Sequence, residues 1–411
     1  MNSHRAWPPL VGILLSFAAC GDSAQGLSDT TDATDATDTA DASDLGSETS
    51  DTSLIDISSD ATDATHTDGT SEEVSDTSVS DSADTSDVAP LDAPERVWTW
   101  FDQPGSLCND GTETGFALNR AASDKLLVVF MGGGACWDFT TCYLLNTAST
   151  GPIGKAQFDA TAASIGVGVL DRADPKNPFR DWSYLFVPYC TGDLHGGEHA
   201  QDYTQGGLTR TWQHMGARNV RLLLPRIHAT FGDLDELVVS GLSAGGFGAS
   251  LQYANIRRAL DATTTRLVDD SGPLLVGEGI NGTLRAKWFT QWRLDLVVDE
   301  VCGQGCKADL SLLYTKLATL YPNDRMALLS SVQDSVIAAY LGMLGIAFEI
   351  EVRKLALNVL SNQPNFKWFF IAGDTHTMLG NPSAASVGGT DLWTWLTAMV
   401  TDDASWTGLA P

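Results

Sequence analysis

The sequence predicts an α/β domain built on a mostly parallel β-sheet with helices on both faces. Two observations indicate this class. Short, continuous runs of apolar residues recur along most of the chain, and segments with helical spacing of apolar residues lie between them. Continuous apolar runs are typical of strands buried on both faces. Strands that alternate with helices favour parallel pairing.

The predicted strands are, in chain order, Leu126–Met131, Tyr184–Pro188, Glu236–Ser240, Met326–Ser331 and Phe366–Ala372. The predicted helices are Ala249–Leu260, Leu310–Leu320 and Val336–Leu357. These elements place the folded domain in residues 95–411, a length that can bury one large core.

Much of the negative charge lies before the folded domain. The chain has 411 residues, 24 Lys+Arg, 52 Asp+Glu and a formal net charge of −28. Of the acidic residues, 20 lie in Gly21–Pro94, which has no Lys or Arg and is rich in Asp, Thr and Ser. Such a segment buries too little apolar surface to fold, so we expect residues 20–94 to be a disordered tether. The anionic chain also disfavours a nucleic-acid partner.

Residues 1–19 have the pattern of a secretory signal peptide. Leu10–Ala19 is apolar but shorter than the roughly 20 residues that span a bilayer. The run Ser16-Phe17-Ala18-Ala19-Cys20 resembles the lipobox of bacterial lipoproteins, whose cysteine is acylated after cleavage. This resemblance implies lipidation at Cys20 and a membrane anchor at the cell surface or in the periplasm. An ordinary cleaved signal is the alternative.

The motif with the clearest chemical meaning is Gly241-Leu242-Ser243-Ala244-Gly245-Gly246, between a predicted strand and a predicted helix. A G-x-S-x-G sequence at a strand-to-helix turn is typical of the nucleophile elbow of α/β-hydrolases. Its glycines let the backbone pass where no Cβ atom fits. The N-terminus of the following helix favours developing negative charge. Ser243 is therefore the predicted nucleophile.

The partners of Ser243 follow from chain order, which in α/β-hydrolases is Ser, acid, His. Of seven histidines, only His376 follows Ser243, and it comes just after the last predicted strand. The acid that orients its imidazole is Asp334 or Asp270, because each ends a strand-like run. Asp374 is too close to His376 in sequence to face it.

A glycine run supplies candidate oxyanion donors. Gly132-Gly133-Gly134-Ala135 follows the strand Leu126–Met131, a position from which backbone N–H groups can bind a tetrahedral intermediate. The N–H of Ala244 is the expected second donor. No Gly-Lys-Ser/Thr follows the glycines, which argues against a phosphate loop. Trp137, just beyond them, fits either stacking on a sugar ring or a place in the core.

These motifs, in this order, resemble the pectin acetylesterase and Notum family of serine hydrolases. The resemblance covers Trp98–Thr377 and includes the segments Leu107–Gly111, Gly132–Trp137, Val187–Asp193, Ser240–Gly246 and Gly373–His376. It implies an α/β-hydrolase fold that cleaves O-acyl esters without a cofactor. It also implies a triad of Ser243, Asp334 and His376, and oxyanion donors at Gly133, Gly134 and Ala244.

The function implied by the resemblance is that of an exported esterase acting on O-acyl groups, above all O-acetyl groups on a polysaccharide such as pectin. One alternative is a Notum-like or general carboxylesterase or lipase for longer acyl chains. Another is a non-catalytic, glycan-binding surface lipoprotein, against which the complete set Ser243, Asp334 and His376 argues.

Six cysteines follow Cys20, and an even number in an exported chain favours disulfides. Close spacing suggests Cys136–Cys142 and Cys302–Cys306, which leaves Cys108–Cys190. His195 and His199 lie in a glycine-interrupted loop that lacks the helical spacing of a metalloprotease site. No metal site is expected, and this loop is expected either at the rim of the substrate cleft or in solvent.

Overall fold

The computed structural model describes residues 88–411. The predicted signal peptide, Cys20 and nearly all of the predicted tether lie outside the described residues. Buried contacts begin slightly before Glu95, the predicted start of the domain. Leu91 and Ala93 are buried, and the backbone N–H of Leu91 donates a hydrogen bond to Thr230 Oγ1 over 2.9 Å.

Within residues 88–411 the strands are β1 (Trp98–Leu107), β2 (Glu113–Asn119), β3 (Lys125–Phe130), β4 (Ser183–Val187), β5 (His199–Gln205), β6 (Leu208–His214), β7 (Glu236–Leu242), β8 (Thr264–Asp270), β9 (Arg325–Ser331), β10 (Phe366–Ile371), β11 (Ser386–Val387) and β12 (Thr390–Asp391). The α-helices are α1 (Lys155–Ile165), α2 (Gly216–Phe231), α3 (Ala244–Leu260), α4 (Gly282–Gln291), α5 (Asp295–Cys302), α6 (Gly305–Ala308), α7 (Leu312–Leu320), α8 (Ser335–Tyr340), α9 (Gly345–Asn358) and α10 (Leu392–Val400).

The central sheet has the strand order β1-β2-β4-β3-β7-β8-β9-β10. From β4 to β10 every neighbouring pair is parallel, while β2 is antiparallel to both β1 and β4. The prediction of a mostly parallel sheet is confirmed. Three strands of this sheet were not among the predicted ones, namely β8 and the antiparallel edge formed by β1 and β2.

Helices cover both faces of this sheet, as predicted. Along β3, Leu126, Val128 and Phe130 pack into one buried cluster with α2, α3, α5, α7 and α9. Leu127 and Val129 point to the other face, where they join a second cluster with α1 and α10. Strand side chains alternate between faces, so a continuous apolar run serves both cores. Within residues 88–411, no helix is both long and apolar enough to cross a membrane.

The predicted helix Val336–Leu357 is wrong in one respect, because the structure divides it into α8 and α9. The break contains Gly342, whose φ of +71° is a left-handed conformation that ends helices. The prediction for α3 is also too short, since the helix begins at Ala244. The three predicted disulfides are confirmed as Cys108–Cys190, Cys136–Cys142 and Cys302–Cys306.

Candidate active site

Ser243 occupies the sharp turn between β7 and α3. Its φ and ψ of 60° and −123° are rare for a residue other than glycine and indicate local strain. Two backbone hydrogen bonds hold the turn, since Ser243 N–H donates to Asp270 O over 2.8 Å and Gly246 N–H donates to Ser243 O over 2.8 Å. The turn therefore presents the hydroxyl from a fixed backbone.

The glycines of this turn are needed because other backbone lies against them. A Cβ atom on Gly245 would overlap the backbone of Phe130, only 2.6 Å from its carbonyl carbon. Phe130 is the last residue of β3, so α3 begins directly against the end of the neighbouring strand. Larger side chains on the turn would force these two elements apart.

His376 and Asp334 form a hydrogen-bonded pair, and His376 lines the same cavity as Ser243. Nδ1 of His376 lies 3.0 Å and 2.9 Å from the two carboxylate oxygens of Asp334. The Asp334 side chain is fully buried, whereas the His376 side chain is 22% exposed. A carboxylate can only accept hydrogen bonds, so the neutral imidazole donates Nδ1–H and keeps a lone pair on Nε2.

Asp334 is fixed by the helix that follows it. It is the N-cap residue of α8, and its Oδ1 accepts hydrogen bonds from the N–H groups of Val336 and Ile337 at 3.1 Å and 3.0 Å. The N-terminus of a helix stabilises a carboxylate through these donors and through the helix dipole. The carboxylate is therefore held in the orientation in which it meets His376.

The glycine loop after β3 lies next to Ser243. A Cβ atom on Gly132 would lie 3.0 Å from the Cβ atom of Ser243, and Gly133 and Gly134 line the same cavity as Ser243. Ala244 is the first residue of α3, and the first N–H groups of a helix have no acceptor within the helix. The glycine loop and the first turn of α3 thus bring two backbone segments together beside the serine.

A cavity of about 370 Å³ joins these groups, and its lining includes Ser243, His376, Gly133 and Gly134. The rest of the lining is mainly apolar and includes Ile153, Phe158, Ile165, Val169, Leu170 and Phe186. Most of these side chains come from α1 and the segment after it. This role was not predictable, because no motif or apolar pattern in that segment marks it as lining a cavity.

Asp270, the rival acid in the sequence, does not bond to the His376 imidazole. It is fully buried, and its Oδ2 accepts hydrogen bonds from the backbone N–H groups of Met378 and Leu379, both over 2.7 Å. Burial raises its pKa to about 6. The third carboxylate, Asp374, is exposed. The structure therefore pairs His376 with Asp334, the acid that the family resemblance implied.

The expectation that the loop around His195 lies at the rim of the cleft or in solvent is wrong. His195 is buried, and its Nε2 lies 2.9 Å from the carbonyl oxygen of Met131, the residue before the glycine loop. Burial lowers the pKa of His195 to about 4, so the neutral ring donates Nε2–H to that carbonyl. This hydrogen bond fixes the backbone of Met131 and so supports the start of the glycine loop.

Trp137 lies between the hydrophobic core and the site. It is partly buried against the larger hydrophobic cluster. It also lines a second, small cavity of about 20 Å³ with Trp288, Tyr340 and Ser243. These contacts fit both expectations for this residue, since it packs against the core and also lines a cavity that contains the nucleophile.

One group of possible metal ligands occurs within residues 88–411, formed by Cys136, Cys142 and His214. The two sulfur atoms are joined in a disulfide, so neither can act as a thiolate ligand. His214 is also engaged, since its ring nitrogens lie 2.9 Å from the Tyr203 hydroxyl and 3.1 Å from Thr191 O. These three side chains are therefore buried structural residues whose potential ligand atoms already have partners.

The sequence around Ser243 matches a known protein family. The family model described as pectinacetylesterase matches residues 96–315, which is more than half of the chain. The chain belongs to the pectinacetylesterase family. The matched region contains Ser243 and the glycine loop Gly132–Ala135, but it ends before Asp334 and His376. Their pairing therefore rests on the geometry.

Curated relatives of this family member include two Notum proteins. The chain is 30% identical over 227 residues to the palmitoleoyl-protein carboxylesterase NOTUM of Drosophila melanogaster, covering 53% of this chain and 32% of that protein. It is 25% identical over 189 residues to palmitoleoyl-protein carboxylesterase notum2 of Xenopus laevis, covering 45% of this chain and 35% of that protein. The matches thus span about a third of each relative.

Solved structures show the same fold. A structure of the Wnt deacylase Notum from Drosophila superposes with a TM-score of 0.57 at 20% identity, covering 76% of this chain and 96% of that one. A second crystal form gives a TM-score of 0.56 at 21% identity. At this level of identity the likeness shows the fold alone, which is α/β-hydrolase-like, as the sequence predicted.

Proposed function

We propose that this chain is a serine carboxylic ester hydrolase. The observation that carries the proposal is the hydrogen-bonded pair of His376 and Asp334, which meets the Ser243 turn at one cavity. The family membership supports the same reaction class. A non-catalytic glycan-binding role has no comparable support, because it does not require a buried acid behind a cavity-lining histidine.

The proposed reaction proceeds through an acyl-enzyme. Ser243 Oγ attacks the carbonyl carbon of the ester while Nε2 of His376 takes the hydroxyl proton. The carbonyl oxygen becomes an oxyanion, which the N–H groups of Gly133, Gly134 and Ala244 stabilise. His376 then gives its proton to the departing alkoxide as the C–O bond breaks.

Water completes the cycle by the same steps in the second half-reaction. His376 removes a proton from water, the resulting hydroxide attacks the acyl carbon, and the proton returns to Ser243 as the carboxylic acid leaves. Asp334 stabilises the imidazolium in both halves and fixes the tautomer with its lone pair on Nε2. None of these steps needs a metal ion or an organic cofactor.

The acyl group that we propose is longer than acetyl. An apolar cavity of about 150 Å³ is large enough for benzene, and the cavity beside Ser243 is about 370 Å³ and mainly apolar. An acetyl group would leave most of this apolar surface without contacts. The names of the Notum relatives, palmitoleoyl-protein carboxylesterases, also support a long acyl chain. The family name instead favours O-acetyl groups on a polysaccharide such as pectin.

A series of p-nitrophenyl esters from acetate to dodecanoate, with acetylated pectin assayed in parallel, separates these substrates. We expect kcat/KM to peak at a chain longer than butyrate. Val167 lines the cavity, so we expect Val167→Trp to narrow it and to shorten the preferred chain while acetate hydrolysis continues. Val97→Trp is the matched control, because Val97 is 52% exposed. A maximum at acetate together with acetate release from pectin would instead establish the O-acetyl activity.

We further propose that the chain is exported and held at a membrane by a lipid on Cys20, with residues 20–94 as the tether. Three disulfides in residues 88–411 are typical of oxidising compartments outside the cytosol. The lipobox-like sequence supplies the anchor. Cell fractionation tests this proposal, because Cys20→Ser should move the protein from the membrane fraction to the soluble fraction. An unchanged distribution would contradict the anchor.

A further inference from the structure

Asp270 is a fully buried carboxylate that takes no part in the reaction just described. It is the last residue of β8, next to the strand that leads into Ser243. Burying a charge costs free energy unless hydrogen bonds compensate for the lost water. The hydrogen-bond partners of Asp270 therefore indicate its structural role.

The side chain of Asp270 binds the loop of residues 372–379, which carries His376 and is called the His376 loop below. Its Oδ2 accepts the backbone N–H groups of Met378 and Leu379, each over 2.7 Å. Ser271 adds a third contact, since its Oγ accepts the Thr377 N–H over 3.3 Å and donates to Asp270 Oδ1 over 3.2 Å. Three consecutive N–H groups after His376 are thus bound from the end of β8. Hydrogen bonds to an ionised acceptor are stronger than neutral ones.

The loop needs such an anchor because its backbone is strained. Thr377 has a φ of +62°, an outlier conformation for a β-branched residue, and such strain persists only where the surroundings impose it. Residues 372–375 are exposed, and hydrogen bonds from Gln333 and Ser335 hold that side of the loop. Asp270 holds the opposite, buried side.

The same residue also contacts the turn of the nucleophile. The carbonyl oxygen of Asp270 accepts the N–H of Ser243 over 2.8 Å, while its carboxylate binds the loop. One residue therefore connects the serine turn to the segment that carries the histidine. A shift of Asp270 would change the separation between the two reacting side chains.

We propose that Asp270 is a positioning residue that holds the His376 loop against the Ser243 turn through the N–H groups of Met378 and Leu379. The inference rests on the proposed esterase function, because it concerns the distance over which His376 takes the serine proton. It assigns no proton transfer to Asp270 itself. Asp334 keeps the role of partner to the imidazole.

The charge of Asp270 makes this anchor sensitive to pH. Burial raises its pKa to about 6, opposed by the Leu379 and Met378 N–H groups and by the nearby His376. Asp269, on the same strand, also interacts with it electrostatically, although its hydrogen bonds are to Ser250 and Tyr314. Asp334 bonds to the imidazole of the nearby His376. The carboxylate is ionised at neutral pH. It gains a proton, and binds the loop less strongly, as the pH falls through about 6.

The test compares Asp270→Asn with the matched control Asp269→Asn in the full chain. Asp269 is equally buried and adjacent, but it bonds to Ser250, Tyr314 and Gly272 and not to the His376 loop. We expect Asp270→Asn to lower kcat by about 10²-fold, the cost of a misplacement of about 1 Å, with KM unchanged. The control should keep its kcat. Between pH 7 and pH 5, kcat should fall less steeply in Asp270→Asn than in the wild type.

A second readout does not depend on turnover. The proton on His376 Nδ1, hydrogen-bonded to Asp334, should give a low-field proton NMR signal in the wild type and in Asp269→Asn. We expect that signal to shift or broaden in Asp270→Asn. A normal signal and normal kcat in Asp270→Asn would overturn the inference. An inactive wild type would contradict the esterase function, while the signal would still test the anchor.

A milder variant covers the case in which Asp270→Asn does not fold. Ser271→Ala removes the Thr377 contact and leaves the Asp270 carboxylate in place. We expect a smaller decrease in kcat than for Asp270→Asn, in the same direction and again without a change in KM. Unchanged kcat in a folded Ser271→Ala, together with an unshifted His376 proton signal, would count against an anchor at the end of β8.

Discussion

At the scale of single residues, the site depends on which carboxylate meets His376. Sequence reasoning could find Ser243 from its motif and His376 as the only histidine downstream. It could not choose between Asp334 and Asp270 without the family resemblance, because both stand at the carboxyl end of a strand-like run in the sequence. The difference lies in side-chain direction. Asp334 faces the imidazole, whereas Asp270 faces backbone N–H groups.

Asp334→Asn tests this assignment. An amide at this position can donate a hydrogen bond to Nδ1 and so favour the tautomer that has no lone pair on Nε2. We expect kcat for ester hydrolysis to fall by about 10⁴-fold with little structural change. Asp374→Asn is the control, because that side chain is exposed. Comparable kcat values for the two variants would remove Asp334 from the proposed mechanism.

At the scale of elements, the strand-to-helix turn depends on close backbone packing. The sequence motif predicted both the turn and the need for glycine. It did not predict the cavity wall, since α1 and the segment after it have no distinctive pattern and reach the site only through the tertiary fold. It also missed the support from His195, because a buried histidine and an exposed one look alike in a glycine-containing loop.

Gly245→Ala should disturb the junction between β3 and α3. The added methyl group would overlap the Phe130 backbone, and such overpacking costs about 1–3 kcal/mol. We expect chemical denaturation to give a lower free energy of unfolding, with reduced kcat because the turn moves. Gly166→Ala is the control, since a Cβ atom there meets nothing within 4 Å. Equal stabilities of the two variants would show that the contact is not tight.

At the scale of the whole molecule, the sheet edges and the buried charges were the least predictable features. Five strands of the central sheet were predictable because they are continuous apolar runs, namely β3, β4, β7, β9 and β10, whereas β8 contains Thr, Arg and Asp and was not among the predicted strands. The pair β1 and β2 contains polar and glycine residues and therefore gave no clear pattern. Burial of Asp193, Asp269 and Asp270 likewise depends on tertiary packing, which composition does not report. Burial raises the pKa of all three.

The buried Asp269 should make stability depend on pH. Burial raises its pKa from 3.8 to about 7, so between these values the folded state holds a proton that the unfolded state has lost. Its stabilising contribution is complete below about pH 4 and is lost as the pH rises through about 7. His195 and His214, whose pKa values burial lowers to about 4 and about 3, act in the opposite direction.

Asp269→Asn isolates this contribution, because both histidines are retained and cancel in the comparison. We expect the Tm of the variant, relative to the wild type, to increase between pH 5 and pH 8. The physical reason is that the amide carries no charge at any pH. Scanning calorimetry across this range provides the measurement, and a Tm difference that does not vary with pH would show that Asp269 does not titrate there.

The most direct test of the central claim is turnover of a p-nitrophenyl ester by the wild type and by Ser243→Ala at equal concentration. We expect Ser243→Ala to be folded but slower in kcat by on the order of 10⁴ to 10⁶-fold, because the attacking oxygen is gone. Equal kcat values for the two folded proteins would exclude Ser243 as the nucleophile.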